Sequence, residues 1–344
     1  MFFQIVPQNT KFDFLGRRRL FIAGSIAMVV LGIVATLVRG GPPVGIDFAG
    51  GTEMQLRFDP GVTVDESSLR DVARGAGFLD ATVVRFGEAD ASEFLIKFKA
   101  EPGSGPADSE GPAGLEANTR VARLESTIRE AVGNFKEQRV EYVGAKVGSD
   151  LRRDGISAML LAWVAILIYV AFRFSALYAP GAVVAQVHDV VITAGLLVLF
   201  NVEFDLQVLA AILAIIGYSL NDTIIIYDRI RENVAVHTTE DLEQVLNMSV
   251  NQTLSRTVLT SALTMLAVFS LLLFGGEVIR PFTLTMMIGI VVGSYSSIFI
   301  AAPILLYLER RYGASSKHKP KDKRATGDSG PAGRPGGSPK RARA

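Results

Sequence analysis

Four side chains able to hold or move charge lie within or beside long apolar runs: His188, Asp189, Asp222 and Arg256. An ionisable group in hydrocarbon is expensive and normally faces a bundle interior or a water path. A lone carboxylate there must be paired or protonated, so Asp222 is the first candidate for proton or ion handling. It lies about five residues, roughly 8 Å, from the end of its apolar run near Tyr227. Arg256 opens the next run at the same membrane face, and its long side chain reaches Asp222 if the two helices pack antiparallel. His188 and Asp189 lie about eleven residues into an earlier run, nearer the midplane, so the four are expected to line one polar path. Structural alternatives stand beside these readings. Arg256 is also suited to anchoring topology by snorkelling. Asp189 is suited to bonding the end of a neighbouring helix, and His188 to plain packing. Arg256, Thr260 and Thr264 recur every four residues, giving a polar face of the kind that also serves helix–helix hydrogen bonding. Gly289 and Gly293 form a small-xxx-small pair, whose default meaning is close helix packing.

Other chemistries are excluded. The chain has no cysteine, which removes disulfides, thiolate nucleophiles and Cys-ligated metal centres. Its three histidines, His188, His237 and His318, are far apart and form no HExxH motif. No Gly-Lys dipeptide occurs, so there is no Walker A phosphate loop. Gly217-Tyr218-Ser219 lacks the second glycine of a nucleophile elbow. No cofactor or metal is expected.

The elements that must position these residues are membrane spans. The chain has 344 residues, 49% of them hydrophobic, and a mean hydropathy of +0.33. Its apolar residues gather in runs that reach the roughly 20 residues needed to cross about 30 Å of hydrocarbon. The reading is an α-helical integral membrane protein of six spans. The first runs over 20–38, after an N-terminus of 1–19. Five more lie within 156–307, at about Ile156–Phe172, Leu177–Phe200, Leu206–Tyr227, Thr257–Phe274 and Phe282–Tyr307. A polar segment, 228–252, divides the fourth from the fifth, with a short helix expected at Thr238–Asn247.

Residues 41–150 are soluble in character, with 12 Lys and Arg against 19 Asp and Glu, a net of −7. Period-two runs at Thr52–Phe58, Ala81–Phe86, Phe94–Lys99 and Arg139–Val147 predict strands; helical spacing appears at Val64–Ala76 and Leu115–Val132. The order βαββαβ suggests a ferredoxin-like α+β domain. Glu101–Gly114 reads as a loop. Residues 310–344 form a basic tail, expected to be disordered, with nine Lys and Arg against two Asp from Ser315 onward. It is read as a solvated, topology-setting extension; contact with anionic lipid or ribosomal RNA is the alternative, and nucleic acid is not counted among the expected partners.

Basic residues favour the cytoplasmic side. Arg17–Arg19, Arg173, Arg229, Arg231, Arg310, Arg311 and the tail all fall on one side of a six-span map. Both termini are therefore expected in the cytoplasm, with 41–150 outside, in the periplasm of a bacterium.

Several segments carry a resemblance. Gly45-Ile46-Asp47-Phe48-Ala49-Gly50-Gly51-Thr52 follows the first span, and Val147-Gly148-Ser149-Asp150-Leu151 precedes the second. Gln186-Val187-His188-Asp189-Val190 lies in the third. Ile216-Gly217-Tyr218-Ser219-Leu220-Asn221-Asp222-Thr223 leads into Tyr227-Asp228-Arg229-Ile230-Arg231-Glu232-Asn233. Asn251-Gln252-Thr253-Leu254-Ser255-Arg256-Thr257 opens the fifth and Phe274-Gly275-Gly276 closes it. Over about residues 10–310 the chain resembles the SecF family, subunits of the SecD–SecF protein-export complex and part of the resistance-nodulation-division superfamily.

That resemblance implies a transport subunit of the bacterial inner membrane rather than an enzyme, using the proton-motive force to promote late preprotein translocation. It implies that Asp222 and Arg256 match the family's proton-pathway carboxylate and arginine. It marks Gly45, Asp47, Gly50, Gly51, Gly217, Asn221, Asp228 and Arg229 as family-motif positions. The implied partners are a SecD-like subunit with six further helices, the SecYEG channel, the SecA motor, YajC, preprotein substrates and membrane lipid. Two other readings are weighed against it: a non-conducting scaffold linking SecD to the channel, and a self-sufficient proton-coupled transporter for a small solute.

Overall fold

The computed structural model describes residues 10–59, 62, 64–86, 92–99 and 112–313. The tail beyond 313, and the expected loop at Glu101–Gly114 apart from its last three residues, lie outside them. Among the described residues, six helices are long and apolar enough to cross a membrane. The first is α1 (Arg18–Val38).

The inserted domain begins with α2 (Ile46–Ala49), a single turn that no periodicity announced. There follow β1 (Gly51–Phe58), α3 (Glu66–Gly75), β2 (Thr82–Phe86), β3 (Glu93–Lys99), α4 (Pro112–Ala131) and β4 (Phe135–Val143). The sheet is antiparallel with order β2-β3-β1-β4, so the ferredoxin-like βαββαβ expectation holds. Period two puts Met54, Leu56, Phe58, Phe94, Ile96 and Phe98 on one face. Leu69 and Ala73 of α3, and Leu124 and Ile128 of α4, meet them at helical spacing, and all are buried. Truncating one of the larger of these to alanine costs about 2–5 kcal/mol. Asp65 caps α3 by accepting the Ser68 N–H at 2.7 Å. The side-chain and backbone bonds from Ser68, then Ser67, hold its carboxyl down at about 2.

The remaining spans are α5 (Ala145–Arg173), α6 (Ala179–Leu199), α7 (Leu206–Val236), α8 (Leu242–Phe274) and a composite last one. The last consists of α9 (Gly276–Ser296), a π-helical turn at Ser297–Ala301 and α10 (Ala302–Tyr312). Pro303 accounts for the π turn: it brings no N–H to the carbonyl four residues back, and the ladder slips one place ahead of it.

Several elements differ from expectation. Helix α7 runs nine residues past Tyr227 to Val236, into the expected polar segment, and α10 carries Arg310 and Arg311 of the expected tail to Tyr312. The strand expected to reach Val147 stops at Val143, because Gly144 is the extended N-cap of α5, which starts eleven residues before the apolar stretch at Ile156. The short helix expected at Thr238–Asn247 does not end there. Asp241 caps it through the Glu243 N–H at 3.2 Å, and α8 then continues unbroken to Phe274. Its polar residues are used. Asn247 and Asn251 bond the backbone of Phe12 and Phe14, strapping the N-terminal segment across this end of the bundle. Leu15 is fully buried beneath that strap.

Close helix approach depends on small residues. A Cβ on Gly32 of α1 would lie 2.8 Å from the Gly195 Cα of α6. Gly289 and Gly293 do what the small-xxx-small reading anticipated: added Cβ atoms would meet Ile215 and Ser219 of α7 at 2.1 and 2.8 Å. The bundle is unevenly covered. Of the apolar window in the last span 72% is buried, against 6% in α8.

Candidate functional site

Asp222 stands on α7 and is 1% exposed. Its carboxylate is poorly supplied with donors. Ser294 of α9 lies at 3.5 Å, the limit of a hydrogen bond, and that hydroxyl also pairs with Ser261 of α8 at 2.7 Å. Ser261 faces the Asp222 carboxylate too, and Tyr218 donates to Ser261 at 3.4 Å. A hydroxyl cluster thus joins α7, α8 and α9 around one carboxylate. Beside it Thr223 pairs with Ser297 of the π turn at 3.2 Å.

Arg256 does not close on Asp222. No ion pair within 4 Å joins them among the described residues; Arg256 sits on the open flank of α8, and its charge acts on Asp222 through space. The contact expected from antiparallel packing is thus replaced by a longer-range one. The hydroxyls of Ser261 and Ser294 occupy the near shell, and Arg256 is exposed.

Asp189 is as deeply buried, at 0% exposure, but fully satisfied. It accepts from Ser219 of α7 at 2.6 Å and Ser296 of α9 at 2.8 Å, and its other oxygen meets His188 Nδ1 at 3.0 Å. His188 stacks on Tyr295, and its Nε2 has no hydrogen-bond partner among the described residues. The expected single path is therefore resolved into two clusters. Asp189 and His188 knot α6 to α7 and α9, while Asp222 looks to α8 and α9. Among the described residues no side-chain hydrogen bond joins Asp189 or His188 to Asp222, Ser261 or Ser294, although Thr223 Oγ1 reaches the Ser219 carbonyl at 3.3 Å.

The two carboxylates differ most in their donors. A buried carboxylate without well-placed donors carries most of its desolvation cost, several kcal/mol. Short bonds to the charged form oppose protonation. Asp189 has those bonds and Asp222 has not.

Sequence reasoning gave no role to Ser219, Ser294 and Ser296, whose hydroxyls are common in spans. It also missed Gln186. With its amide oriented to satisfy both ends, Gln186 bonds the Ile216 carbonyl and the Leu220 N–H, each at 3.0 Å, one turn before Asp222.

The motif positions are spread along the same elements. Gly45, Asp47, Gly50 and Gly51 form the root of the inserted domain. Gly217 and Asn221 lie on an open face of α7, where nothing is within 4 Å of an added Gly217 Cβ. Asp228 and Arg229 tie the far end of α7 to its neighbours. Asp228 pairs with Arg173 of α5 at 3.3 Å and Arg231 at 2.9 Å, and Arg229 bonds Gln252 of α8 at 2.5 Å.

Residues 123–311 match the family model for the C-terminal region of the protein-export membrane proteins SecD and SecF, and residues 45–62 match the SecD/SecF GG motif. Protein translocase subunit SecF of Calditerrivibrio nitroreducens is 40% identical over 318 residues, covering 89% of this chain and 97% of that protein. The protein of the same name from Pseudomonas aeruginosa is 41% identical over 297 residues, covering 86% and 91%. The crystal structure of SecDF, a translocon-associated membrane protein from Thermus thermophilus, superposes with a TM-score of 0.73 at 34% identity over 88% of this chain. SecDF in a super-membrane-facing form gives 0.65 at 33% identity over 90%. The chain spans 39% and 40% of the lengths of those two SecDF chains.

Proposed function

The chain belongs to the SecD/SecF family of protein-export membrane proteins, and from that premise we propose that it is the SecF-type subunit of a complex that uses proton flow to promote late preprotein translocation. One observation carries the proton reading. Asp222 is a carboxylate buried in a membrane span with only weak donors, so protonation relieves a charge that its surroundings hold poorly.

Protonating Asp222 changes the contact between α7 and α9, and α9 runs into a π turn, a common place for a helix to give. One charge crossing 100 mV is worth about 2.3 kcal/mol, so a few protons per cycle match a conformational change of ordinary size.

Arg256, exposed on a span, argues for a partner that covers it. Beside it Ala210, Ala214, Gly217 and Asn221 make an open stripe of small residues on α7. A second helical half, the SecD-like subunit, is the cover proposed for both. Of the four residues expected in a proton pathway, the observations favour Asp222 and Arg256 as the moving part, and Asp189 with His188 as a fixed knot. SecYEG, SecA, YajC and the preprotein belong to the same proposal as contacts of the assembled complex.

The orientation is that of the bacterial inner membrane with both termini in the cytoplasm and the inserted domain in the periplasm. Its support is the gathering of Arg18, Arg173, Arg231 and Arg310 at the end away from the domain, where they pair with Glu243, Asp228 and Asp241.

The test is late export under an imposed proton-motive force. In complexes of normal abundance Asp222→Asn should abolish it. A scaffold predicts a neutral or stabilised variant instead. A small-solute transporter predicts activity in the purified chain without a larger subunit.

A further inference from the structure

Asp47 lies on α2, between the first span and β1. Its Oδ2 accepts the backbone N–H of Leu206, the first residue of α7, at 2.9 Å. The first N–H groups of a helix have no partner within it, and a carboxylate there also meets the positive end of the helix dipole. Yet α7 already has its own cap, since Asp205 accepts the Val208 N–H at 2.8 Å. The second carboxylate comes from 159 residues away, so its effect is to join two parts of the protein.

The joint is reinforced on every side. Gly45 N–H bonds the Phe204 carbonyl at 2.8 Å, and Phe204 N–H bonds the Pro43 carbonyl at 2.7 Å. Gly50, at φ +78°, lies so close to α5 that a Cβ would be 2.7 Å from the Ala145 Cα. A Cβ on Gly51 would lie 2.4 Å from the Phe98 carbonyl of β3, and one on Gly148 would lie 3.1 Å from the Asp47 carbonyl. The segment from Pro43 to Gly51 is therefore held by α7, α5 and the sheet at once. From Leu206, α7 runs without a proline to Asp222, about sixteen residues or ~24 Å away.

We infer that Asp47 is a positioning residue that transmits displacement of α7, generated at Asp222, to the inserted domain. This rests on the proton-driven reading of Asp222 given above. The bond to Leu206 fixes the outer end of a rigid rod to the root of the domain, so a shift or tilt of the rod moves the sheet. Without it the root holds the outer end of α7 only through the Phe204 backbone bonds just before the helix, so the domain follows less of the rod's movement.

The test uses the chain assembled with its SecD-like partner in proteoliposomes, with two readouts: proton conductance, and the rate of late preprotein export under an imposed gradient. Asp47→Ala should keep wild-type conductance while export falls about tenfold, the scale of a typical coupling between sites. Asp47→Asn still presents an oxygen to the Leu206 N–H and should restore most of the export. The inference is overturned by wild-type export in Asp47→Ala, by parallel loss of conductance and export at normal abundance, or by Asp47→Asn behaving as Asp47→Ala. An Asp222→Asn control that conducts as well as wild type would instead overturn the proton reading itself, whatever Asp47 does.

Discussion

Ser219 donates a 2.6 Å hydrogen bond to the carboxylate of Asp189, fastening α7 to α6 less than one helical turn before Asp222. Asp189 of α6 and Asp222 of α7 are thus held very differently. One is gripped by short bonds from two other spans, and one is left to a weak donor and a distant arginine. On the proposed reading, this contrast sets a fixed point apart from a movable one.

The grip on Asp189 has a stability consequence. Asp189→Leu removes the acceptor of two short bonds, leaving the Ser296 hydroxyl to the Gly293 carbonyl and the Ser219 hydroxyl to Gln186, at about 1–3 kcal/mol in all. Asp189→Asn keeps an acceptor and should retain most of the stability. Thermal unfolding of the purified complex compares them. Loss of proton conductance in a stably folded Asp189→Asn protein would move Asp189 from the fixed knot to the pathway.

Gly293 controls how closely α9 approaches Asp222. Its Cβ would lie 2.8 Å from Ser219 Cβ, so Gly293→Leu must push α9 off α7, at about 1–3 kcal/mol of overpacking. The expected result is a lower unfolding temperature together with reduced export. Gly24 has open space around it, and Gly24→Ala serves as the control that should change neither.

The inserted domain has its own pH response. Burial pushes the carboxyl of Glu125 on α4 up to about 7, and Glu137 on β4 beside it adds to the rise, with Arg129 opposing. A carboxyl whose folded value lies above its ordinary 4.5 gives stability that is full below that value. The contribution declines as pH rises from 4.5 toward 7. Hydrogen exchange in α4 and β4 should accordingly be faster at pH 8 than at pH 5 after correction for intrinsic rates. Glu125→Gln should flatten the difference, and an unchanged profile in that variant would contradict the assignment.

Orientation is checked by reporter fusions. A reporter after Ser104 should be active only outside the cytoplasm, and one after Asn233 only inside. The reverse pattern at either point overturns the six-span map.

Hydropathy and period made the six spans and the βαββαβ insert legible, because both are set by which side chains must leave water. Asp222 stood out for the same reason: a lone carboxylate in an apolar run has few explanations. What stayed hidden depended on contacts between distant segments. Asn247, Ser249 and Asn251 read as a polar connection, yet they lie on a continuous α8, because the N-terminal strap and Asn233 use their amides and hydroxyls. The serines around both carboxylates looked like any others in a span. The Asp222–Arg256 ion pair was inferred from charge and depth alone, and the near positions went to Ser261 and Ser294. Asp47 could be placed in a motif, but its bond to Leu206 exists only because the fold brings two loops together.

The central claim is that Asp222 carries protons, and proton conductance of the complex reconstituted with its SecD-like partner tests it most directly. Asp222→Asn keeps the shape and one hydrogen-bonding oxygen but cannot release a proton. Conductance should fall to the background of empty liposomes at unchanged assembly and abundance, while Asp222→Glu, which still titrates, should retain part of it. Arg256→Lys keeps the charge without the planar guanidinium and should be impaired as well. Wild-type conductance in the assembled Asp222→Asn complex would contradict the account.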